Sequence, residues 1–323
     1  MVNKRIIAIS TMVVLGFSLT IAFPIVFLST TLAPYGIIHE GISFKCAPHN
    51  ISSIEELNLN IDIGNIQINY VDPQVEDSVK LDINFDIIGS DVAGKSYLEY
   101  FSINWQNTSS SLNFTMELLS DNWFDPSKWV RKNIEIIISV RKDITLDILT
   151  TVNEGDFKIK VPWGVSIGKV FTNITNGDIF YDFYHCTIGS NITGITKNGD
   201  IKLNSLSLVY TQNINWNLNT EVGDIYLEID QDNEMGANIT GLATINTGNF
   251  NLNYKDDSTN IGALFAFPIS EIDIIPLESV EGFDIEYLGV IGYLYKSFDF
   301  PTKNNYNLSF YITGIRIIDI ISD

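Results

Sequence analysis

Thr172-Asn-Ile-Thr-Asn-Gly-Asp-Ile179 is repeated almost unchanged as Thr193-Gly-Ile-Thr-Lys-Asn-Gly-Asp-Ile201. In both copies a run of alternating apolar and polar residues ends in an Asn-Gly-Asp turn. Glycine is suited to such a turn because it adopts a positive φ without steric cost. Weaker copies of the phrase lie on both sides of this stretch. It therefore predicts that the chain is a repeat protein.

The weaker copies extend the series in both directions. They are Thr151-Val-Asn-Glu-Gly-Asp-Phe157, Asn219-Thr-Glu-Val-Gly-Asp-Ile225 and Asn246-Thr-Gly-Asn-Phe250. The turn glycines (Gly155, Gly177, Gly199, Gly223 and Gly248) follow one another at steps of 22, 22, 24 and 25 residues. A nearly constant step of this size is typical of stacked supersecondary units.

The strand after each turn alternates, with Ile201 and Leu203 predicted to point inward and Lys202 outward. Such a coil has one apolar face and must bury it against its neighbours. We therefore expect an all-β fold, a parallel β-solenoid resembling a β-helix. The alternative is an antiparallel β-sandwich, because Asn-Gly between alternating runs is also a strong hairpin signal.

The repeats occupy residues 151–255. An N-terminal β region is predicted at 54–150, where Leu57–Ile63 and Ile66–Tyr70 alternate on either side of Gly64-Asn65. After the repeats fade, the apolar strands of 256–323 are predicted to form a C-terminal β cap, because a stack of coils needs a cover for its last open edge.

The first residues of the chain predict a membrane anchor. Residues 1–5 carry Lys4 and Arg5, and residues 6–32 contain no charged residue, which is long enough for a transmembrane helix. The basic residues assign 1–5 to the cytoplasm and place the remainder outside the cell membrane, after a linker at 33–53. A cleaved signal peptide is the alternative, although its apolar core is normally shorter. We expect a single-pass membrane protein with an extracellular C-terminal domain.

The charge balance limits the partners. The chain has 39 acidic and 19 basic residues and a formal net charge of −20, so phosphate backbones would repel it and nucleic acid is excluded. Calcium or a neutral glycan is easier to accommodate. Seven Asn-x-Ser/Thr triplets are candidates for glycosylation, as expected of an outward-facing domain: Asn50, Asn107, Asn113, Asn173, Asn191, Asn238 and Asn307.

The two cysteines, Cys46 and Cys186, have no CxxC partner, so a zinc site is not predicted. Outside the membrane they are candidates for one disulfide bond. The alternative interpretation is two separate buried thiols.

Four aspartates take the same place in successive repeats: Asp156, Asp178, Asp200 and Asp224. One hypothesis is a ladder of calcium sites, since calcium takes several oxygen ligands from loops. The other, which we favour, is that aspartate is a good turn former whose side chain bonds nearby backbone. No other cofactor is expected.

The residues quoted above resemble the "putative adhesin" family, a domain of unknown function found on bacterial and archaeal surface proteins. Its members combine a leading strand pair, matched here by Leu57–Tyr70, with repeated T-x-x-G-D-I-x-L coils, matched by Thr172–Ile179, Thr193–Leu203 and Asn219–Leu227. The resemblance covers about Ile54 to Tyr254. The chain departs from the pattern at Asn65 and Asn249, which replace aspartate, and in an insert around Trp123. The resemblance implies a surface β-solenoid with an adhesive role and supplies no catalytic residues.

Three function classes follow from these observations. The first is binding or adhesion through the faces of the solenoid, without enzymatic activity, with a surface glycan, a protein or a second copy as partner. Outward aromatic residues such as Tyr181, Phe183 and Tyr226 would then form a sugar-stacking surface. The second class is a self-assembling structural component of the cell envelope. The third is a carbohydrate-active enzyme, which needs two carboxylates facing each other in a cleft.

Overall fold

The computed structural model of the protein describes residues 36–46, 56–73, 77–90, 92–108, 110–119, 123, 125, 127–232, 235–256, 261–267, 283–287, 293–297, 306–313 and 317–322. These residues form an all-β fold with parallel and mixed sheets, as the composition predicts. The predicted anchor at 6–32 lies outside the described residues. No helix in the described part of the chain has the length and apolarity needed to cross a membrane.

The described residues contain twenty-five strands and one 3₁₀ turn, η1 at Tyr97–Glu99. The strands are β1 (Gly36–Cys46), β2 (Glu56–Ile63), β3 (Asn65–Val71), β4 (Val79–Gly89), β5 (Phe101–Asn107), β6 (Ser111–Leu118), β7 (Trp129–Arg141), β8 (Asp147–Glu154), β9 (Phe157–Val161), β10 (Ser166–Ile167), β11 (Val170–Asn176), β12 (Ile179–Tyr184), β13 (Thr187–Ile188), β14 (Ile192–Asn198), β15 (Ile201–Leu206), β16 (Val209–Tyr210), β17 (Ile214–Val222), β18 (Ile225–Gln231), β19 (Ile239–Thr247), β20 (Phe250–Asp256), β21 (Ile261–Phe267), β22 (Phe283–Tyr287), β23 (Tyr293–Ser297), β24 (Tyr306–Thr313) and β25 (Ile317–Ser322).

The strands form two large sheets and one small one. The first sheet has ten strands in the order β1-β4-β7-β3-β9-β12-β15-β18-β20-β25. The second has twelve, in the order β22-β23-β21-β24-β19-β17-β14-β11-β8-β2-β6-β5, and a third contains β10, β13 and β16. Each repeat contributes one strand to the twelve-stranded sheet and, after its glycine turn, one strand to the ten-stranded sheet. We call this pair of strands a coil.

Neighbouring repeats pair in parallel, with equivalent residues opposite each other. Ile179 lies opposite Ile201, which in turn lies opposite Ile225, although these residues are separated by whole repeats in the sequence. The strands on either side of each turn therefore belong to different sheets. The antiparallel hairpin alternative does not hold for the repeats.

The coils extend beyond the predicted repeat region at both ends. Strands β2 and β3 pair in parallel with β8 and β9, so they form the first coil. Strands β24 and β25 pair in parallel with β19 and β20, so part of the predicted C-terminal cap is a further coil. The predicted linker is also corrected, because residues 36–46 form the edge strand β1.

Strands β4 to β7 are an insertion between the first and second coils. Together with β1 we call it the N-terminal lobe. Strands β1, β4 and β7 pair antiparallel to one another and extend the ten-stranded sheet, while β5 and β6 extend the other. The two extensions meet through aromatic residues: the rings of Phe44 and Trp105 stack at 5.7 Å. The lobe thereby closes the apolar interior at this end of the coils.

The core consists of the inward positions of the strands whose side chains the structure describes. Tyr181 and Phe183 belong to it and are fully buried, so the prediction that they point outward is wrong. The alternation in β12 starts from the buried Ile179, which turns Phe180 to the surface instead. Tyr181 fits because β14 of the twelve-stranded sheet has Gly194 at this point, where an added Cβ would lie 3.1 Å from the Tyr181 ring.

Neither Cys46 nor Cys186 is in a disulfide bond; both are buried, and they have different neighbours. Cys46 accepts a hydrogen bond from Nδ2 of Asn107 in the N-terminal lobe, whereas Cys186 lies in the repeats, between β12 and β13. The predicted disulfide is not formed, and the alternative of two separate thiols describes the structure.

We expect Cys186 to resist alkylation in the folded protein. Burial raises its pKa to about 12, so only about one thiol in ten thousand would be ionised at pH 8, and the thiolate is the reactive species. Mass spectrometry after maleimide treatment should find Cys186 unmodified in the native state and modified in denaturant without reductant. Rapid labelling of the native protein would contradict the burial, and failure to label the denatured protein would reveal a disulfide.

Candidate functional site

The glycines of the turns form a column along one edge of the coils. At Gly199 the backbone φ is +152°, and a Cβ there would lie 2.0 Å from the carbonyl oxygen of Gly177 in the preceding coil. Gly223 stands in the same relation to Gly199. The column thus requires glycine both for its backbone conformation and for the close approach of the next coil.

The aspartates beside these glycines form a hydrogen-bonded ladder. The backbone N–H of Asp178 donates to Oδ1 of Asp156 at 2.9 Å, and the N–H of Asp200 donates to Oδ1 of Asp178 at 2.8 Å. Asp224 donates in the same way to Asp200 at 2.8 Å. At the two ends of the ladder stand Asn65, which accepts from Asp156, and Asn249, which donates to Asp224.

This ladder explains which residue types occupy the turn. Each side chain supplies a carbonyl-type oxygen to a backbone N–H of the next coil, and asparagine supplies the same oxygen as aspartate. That is why Asn65 can stand where the repeats have aspartate. Among the residues that the structure describes, no three aspartate, glutamate, histidine or cysteine side chains form a metal-binding group. The calcium hypothesis for Asp156, Asp178, Asp200 and Asp224 stays a prediction.

Substitutions at Asp200 distinguish the two roles. Asp200→Ala removes the acceptor of the Asp224 N–H and should lower the free energy of unfolding by about 1 kcal/mol, the usual net value of one hydrogen bond. Asp200→Asn keeps the oxygen and should change it by less than about 0.5 kcal/mol. Urea unfolding with calcium and with chelator measures both. If Asp200→Asn costs as much as Asp200→Ala, and only with calcium present, the carboxylate charges bind calcium.

Next to the ladder, an outward row of side chains crosses the ten-stranded sheet. Lys158, Phe180, Lys202 and Tyr226 occupy directly opposed positions on β9, β12, β15 and β18. The two lysine Nζ atoms lie 4.9 and 5.8 Å from the centre of the Phe180 ring, from either side. We call these four residues the lysine–aromatic row.

Tyr226 links the row to the ladder. Its ring is 37% exposed, and its hydroxyl donates a 3.0 Å hydrogen bond to Oδ2 of Asp224. This hydrogen bond to the carboxylate is the main cause that raises the pKa of Tyr226, with partial burial second. The ring is therefore held in place while one face remains open to solvent.

The row is continued on one side by a groove. A cavity of about 260 Å³ lies where β7, β3 and β9 meet, and its lining includes Gln67, Glu135, Asp156 and Lys158. A second outward row runs parallel to the first, with Asp182 and Asn204 in register on β12 and β15. The exposed face of the ten-stranded sheet therefore combines two rings with closely spaced amide, carboxylate and ammonium groups.

The glycosylation candidates are spread over the molecule. Asn50 lies outside the described residues. Asn107, Asn173, Asn191 and Asn238 are exposed, and Asn113 and Asn307 are half-buried. Four of them, Asn113, Asn191, Asn238 and Asn307, also take part in hydrogen bonds between neighbouring strands. Oδ1 of Asn191 accepts from the N–H of Asn215, Oδ1 of Asn238 accepts from the N–H of Asn307, and Oδ1 of Asn113 accepts from Nδ2 of Asn58.

The structure thus brings the four predicted aspartates together and adds residues that the sequence interpretation missed. Lys158, Phe180 and Lys202 are outward members of a row whose strands are 22 residues apart in the chain. The signal was present in the sequence, because counting alternate positions from Ile179 places Phe180 on the outer face.

Comparisons with known proteins give similarity at the level of solved structures. No family model matches the chain, and no curated protein matches it significantly. A "putative cell adhesion protein" from Clostridium sporogenes is similar at a TM-score of 0.36 and 15% identity, over 88% of this chain and 100% of that one. A "putative adhesin" from Bacteroides fragilis is similar at a TM-score of 0.34 and 12% identity, over the same shares of the two chains. Neither similarity extends to function.

Proposed function

We propose that the protein is a membrane-anchored, non-enzymatic surface protein of adhesin type, whose coils form a β-solenoid that binds a neutral glycan. In this proposal residues 6–32 cross the cell membrane once and the β domain lies outside, where its sequons are open to glycosylation. The observation that carries the proposal is the lysine–aromatic row on an open, flat sheet face.

The chemistry of the row suits a sugar polymer. Phe180 and Tyr226 are two strands apart, which separates their rings by about 10 Å along the sheet. Aromatic rings of this kind pack against the apolar faces of sugar rings, and the neighbouring lysine, asparagine and carboxylate groups offer hydrogen bonds to hydroxyls. Because the row crosses several strands and continues into the groove at β7, β3 and β9, it favours an extended ligand that touches several coils over a small free molecule.

Charge favours a neutral ligand. The protein carries a net charge of −20, and the acidic ladder runs directly beside the row. A polyanionic glycan would be repelled by both, although the lysines of the row would attract it locally. A neutral chain avoids this repulsion and still uses the polar groups of the face.

The experiment is glycan binding by the full chain in lipid nanodiscs, measured on arrays of neutral and acidic polysaccharides. The double substitution Phe180→Ala and Tyr226→Ala should weaken binding by about tenfold or more, since each ring–ligand contact contributes roughly 0.5–1.5 kcal/mol. Tyr311→Ala is the matched control, because Tyr311 is 48% exposed on the other large sheet.

Three outcomes would overturn the proposal. Binding that is equally reduced by the control variant would show that the row is not the site. Absence of glycan binding, together with self-association in light scattering with calcium or with chelator, would favour the structural role in the cell envelope. Shortening of the bound polysaccharide would instead reveal an enzyme.

A further inference from the structure

The N-terminal lobe carries a group of exposed apolar side chains. Ile37, Leu98, Leu119 and Val130 are between 59% and 65% exposed, more than any other large aliphatic side chain among the described residues. They come from β1, η1, the residue that follows β6 and the start of β7. These four residues, with the segment Lys128–Lys132, are called the lobe patch below.

The elements that carry the patch are linked to one another within the lobe. Ile37 lies opposite Ile88 of β4, and Ile88 lies opposite Arg131. Strands β1 and β7 therefore flank β4 at this level of the sheet. The Trp129 ring lies 5.6 Å from the ring of Tyr100, whose carbonyl oxygen accepts the N–H of Leu119. The four elements that carry the patch are therefore close together in the lobe, although they are separated in the sequence.

The patch is also the most basic part of the sequence. Lys128-Trp-Val-Arg-Lys132 contains three basic residues in five positions, which no other five-residue window of this acidic chain does. Lys132 reaches over the Trp123 ring at 5.1 Å, and Lys95 lies 5.5 Å from the ring of Tyr100. Acidic groups are present as well: Asp86 pairs with Arg131, and Glu99 is exposed.

Two features place the patch next to the predicted anchor. The first strand begins at Gly36, four residues after the anchor ends at Leu32, and four residues span at most about 14 Å. Moreover, residues 129–134 of β7 project about 20 Å beyond the turn edge of the coils, since Glu135 pairs with Asn65 at that edge. The lobe therefore protrudes at the point where the chain leaves the anchor.

We infer that the lobe patch rests on the outer surface of the bilayer that holds the anchor, with lipid headgroups as its ligand. This inference rests on the proposed membrane anchoring. Exposed aliphatic side chains would enter the headgroup region, the half-buried Trp129 ring suits that interface, and lysine and arginine would contact lipid phosphates. Contact on this side fixes the orientation of the coils on the cell, whereas an anchor alone would leave the domain free to rotate.

The test uses the full chain in nanodiscs of zwitterionic lipid with a minority of anionic lipid. Val130→Cys carries an environment-sensitive fluorophore, and a spin label on the lipid headgroups quenches it. An apolar side chain at the interface sits about 5–10 Å into the headgroup boundary, so we expect quenching of about twofold or more. Val209→Cys is the control, because Val209 is 42% exposed on the small third sheet. The unsubstituted chain, treated with the same fluorophore, is the control for labelling of the buried Cys46 and Cys186.

The outcomes separate the inference from the anchoring on which it rests. Labelled protein that enters nanodiscs but shows no more quenching at Val130→Cys than at Val209→Cys overturns the patch and leaves the anchor intact. Protein that does not enter nanodiscs overturns the anchoring itself. Strong quenching at Val130→Cys alone supports both.

Discussion

Gly199→Ala is expected to lower the free energy of unfolding by about 3–5 kcal/mol, at the upper end of what single substitutions do. Two costs add at this position. An alanine would have to adopt a φ of +152°, and its Cβ would lie 2.0 Å from the carbonyl oxygen of Gly177. The obstacle is backbone held by ladder hydrogen bonds on both sides, so it cannot move away as a side chain would. Denaturant unfolding followed by circular dichroism measures the loss.

Gly164→Ala is the matched control for this prediction. Gly164 also has a positive φ, +76°, and lies in the same repeats, but no atom lies within 4 Å of the added Cβ. It should cost only the backbone strain, about 1–2 kcal/mol. Equal losses at Gly199 and Gly164 would mean that the close approach of neighbouring coils contributes nothing and that φ alone explains the glycine column.

The parts of the fold that sequence could predict are those encoded locally and repeated. Each Gly-Asp turn is defined by adjacent residues, and the constant step between Gly177 and Gly199 reports that equivalent residues stack. Parallel pairing then follows because every coil must bury the same face. The interpretation of Asp200 as a turn former that bonds nearby backbone did not foresee the partner found here, because its side chain accepts from the N–H of Asp224, 24 residues further on in the next coil.

The parts that sequence could not predict depend on contacts across insertions. The coil formed by β2 and β3 is separated from the next by residues 72–146, so no constant step marks it, and Asn65 replaces the aspartate of the motif. The outward position of Phe180 was missed for a different reason. Three aromatic residues lie within Phe180–Phe183, and choosing the outward ones requires the correct phase of the strand.

The last coil was missed for the same reason as the first, and it offers the second prediction. Gly241 of β19 lies between Trp216 of β17 and Phe310 of β24, directly opposite both. Because Gly241 has no side chain, the two rings meet above it, edge to face at 5.6 Å. An added Cβ at Gly241 would lie 2.1 Å from the Phe310 ring. The lack of a side chain at Gly241 thus makes room for the ring of Phe310, which follows it by 69 positions in the sequence.

We expect Phe310→Ala to cost about 3–5 kcal/mol of stability, because it empties a fully buried ring site. Gly241→Ala should cost about 1–3 kcal/mol by overpacking. In the double variant the new methyl group occupies space that the ring has vacated, so the combined loss should fall short of the sum by about 1–3 kcal/mol. Urea unfolding of the four proteins closes this cycle. If the two losses in unfolding free energy are additive, β24 does not pack on β19. Strands β24 and β25 would then not form a further coil.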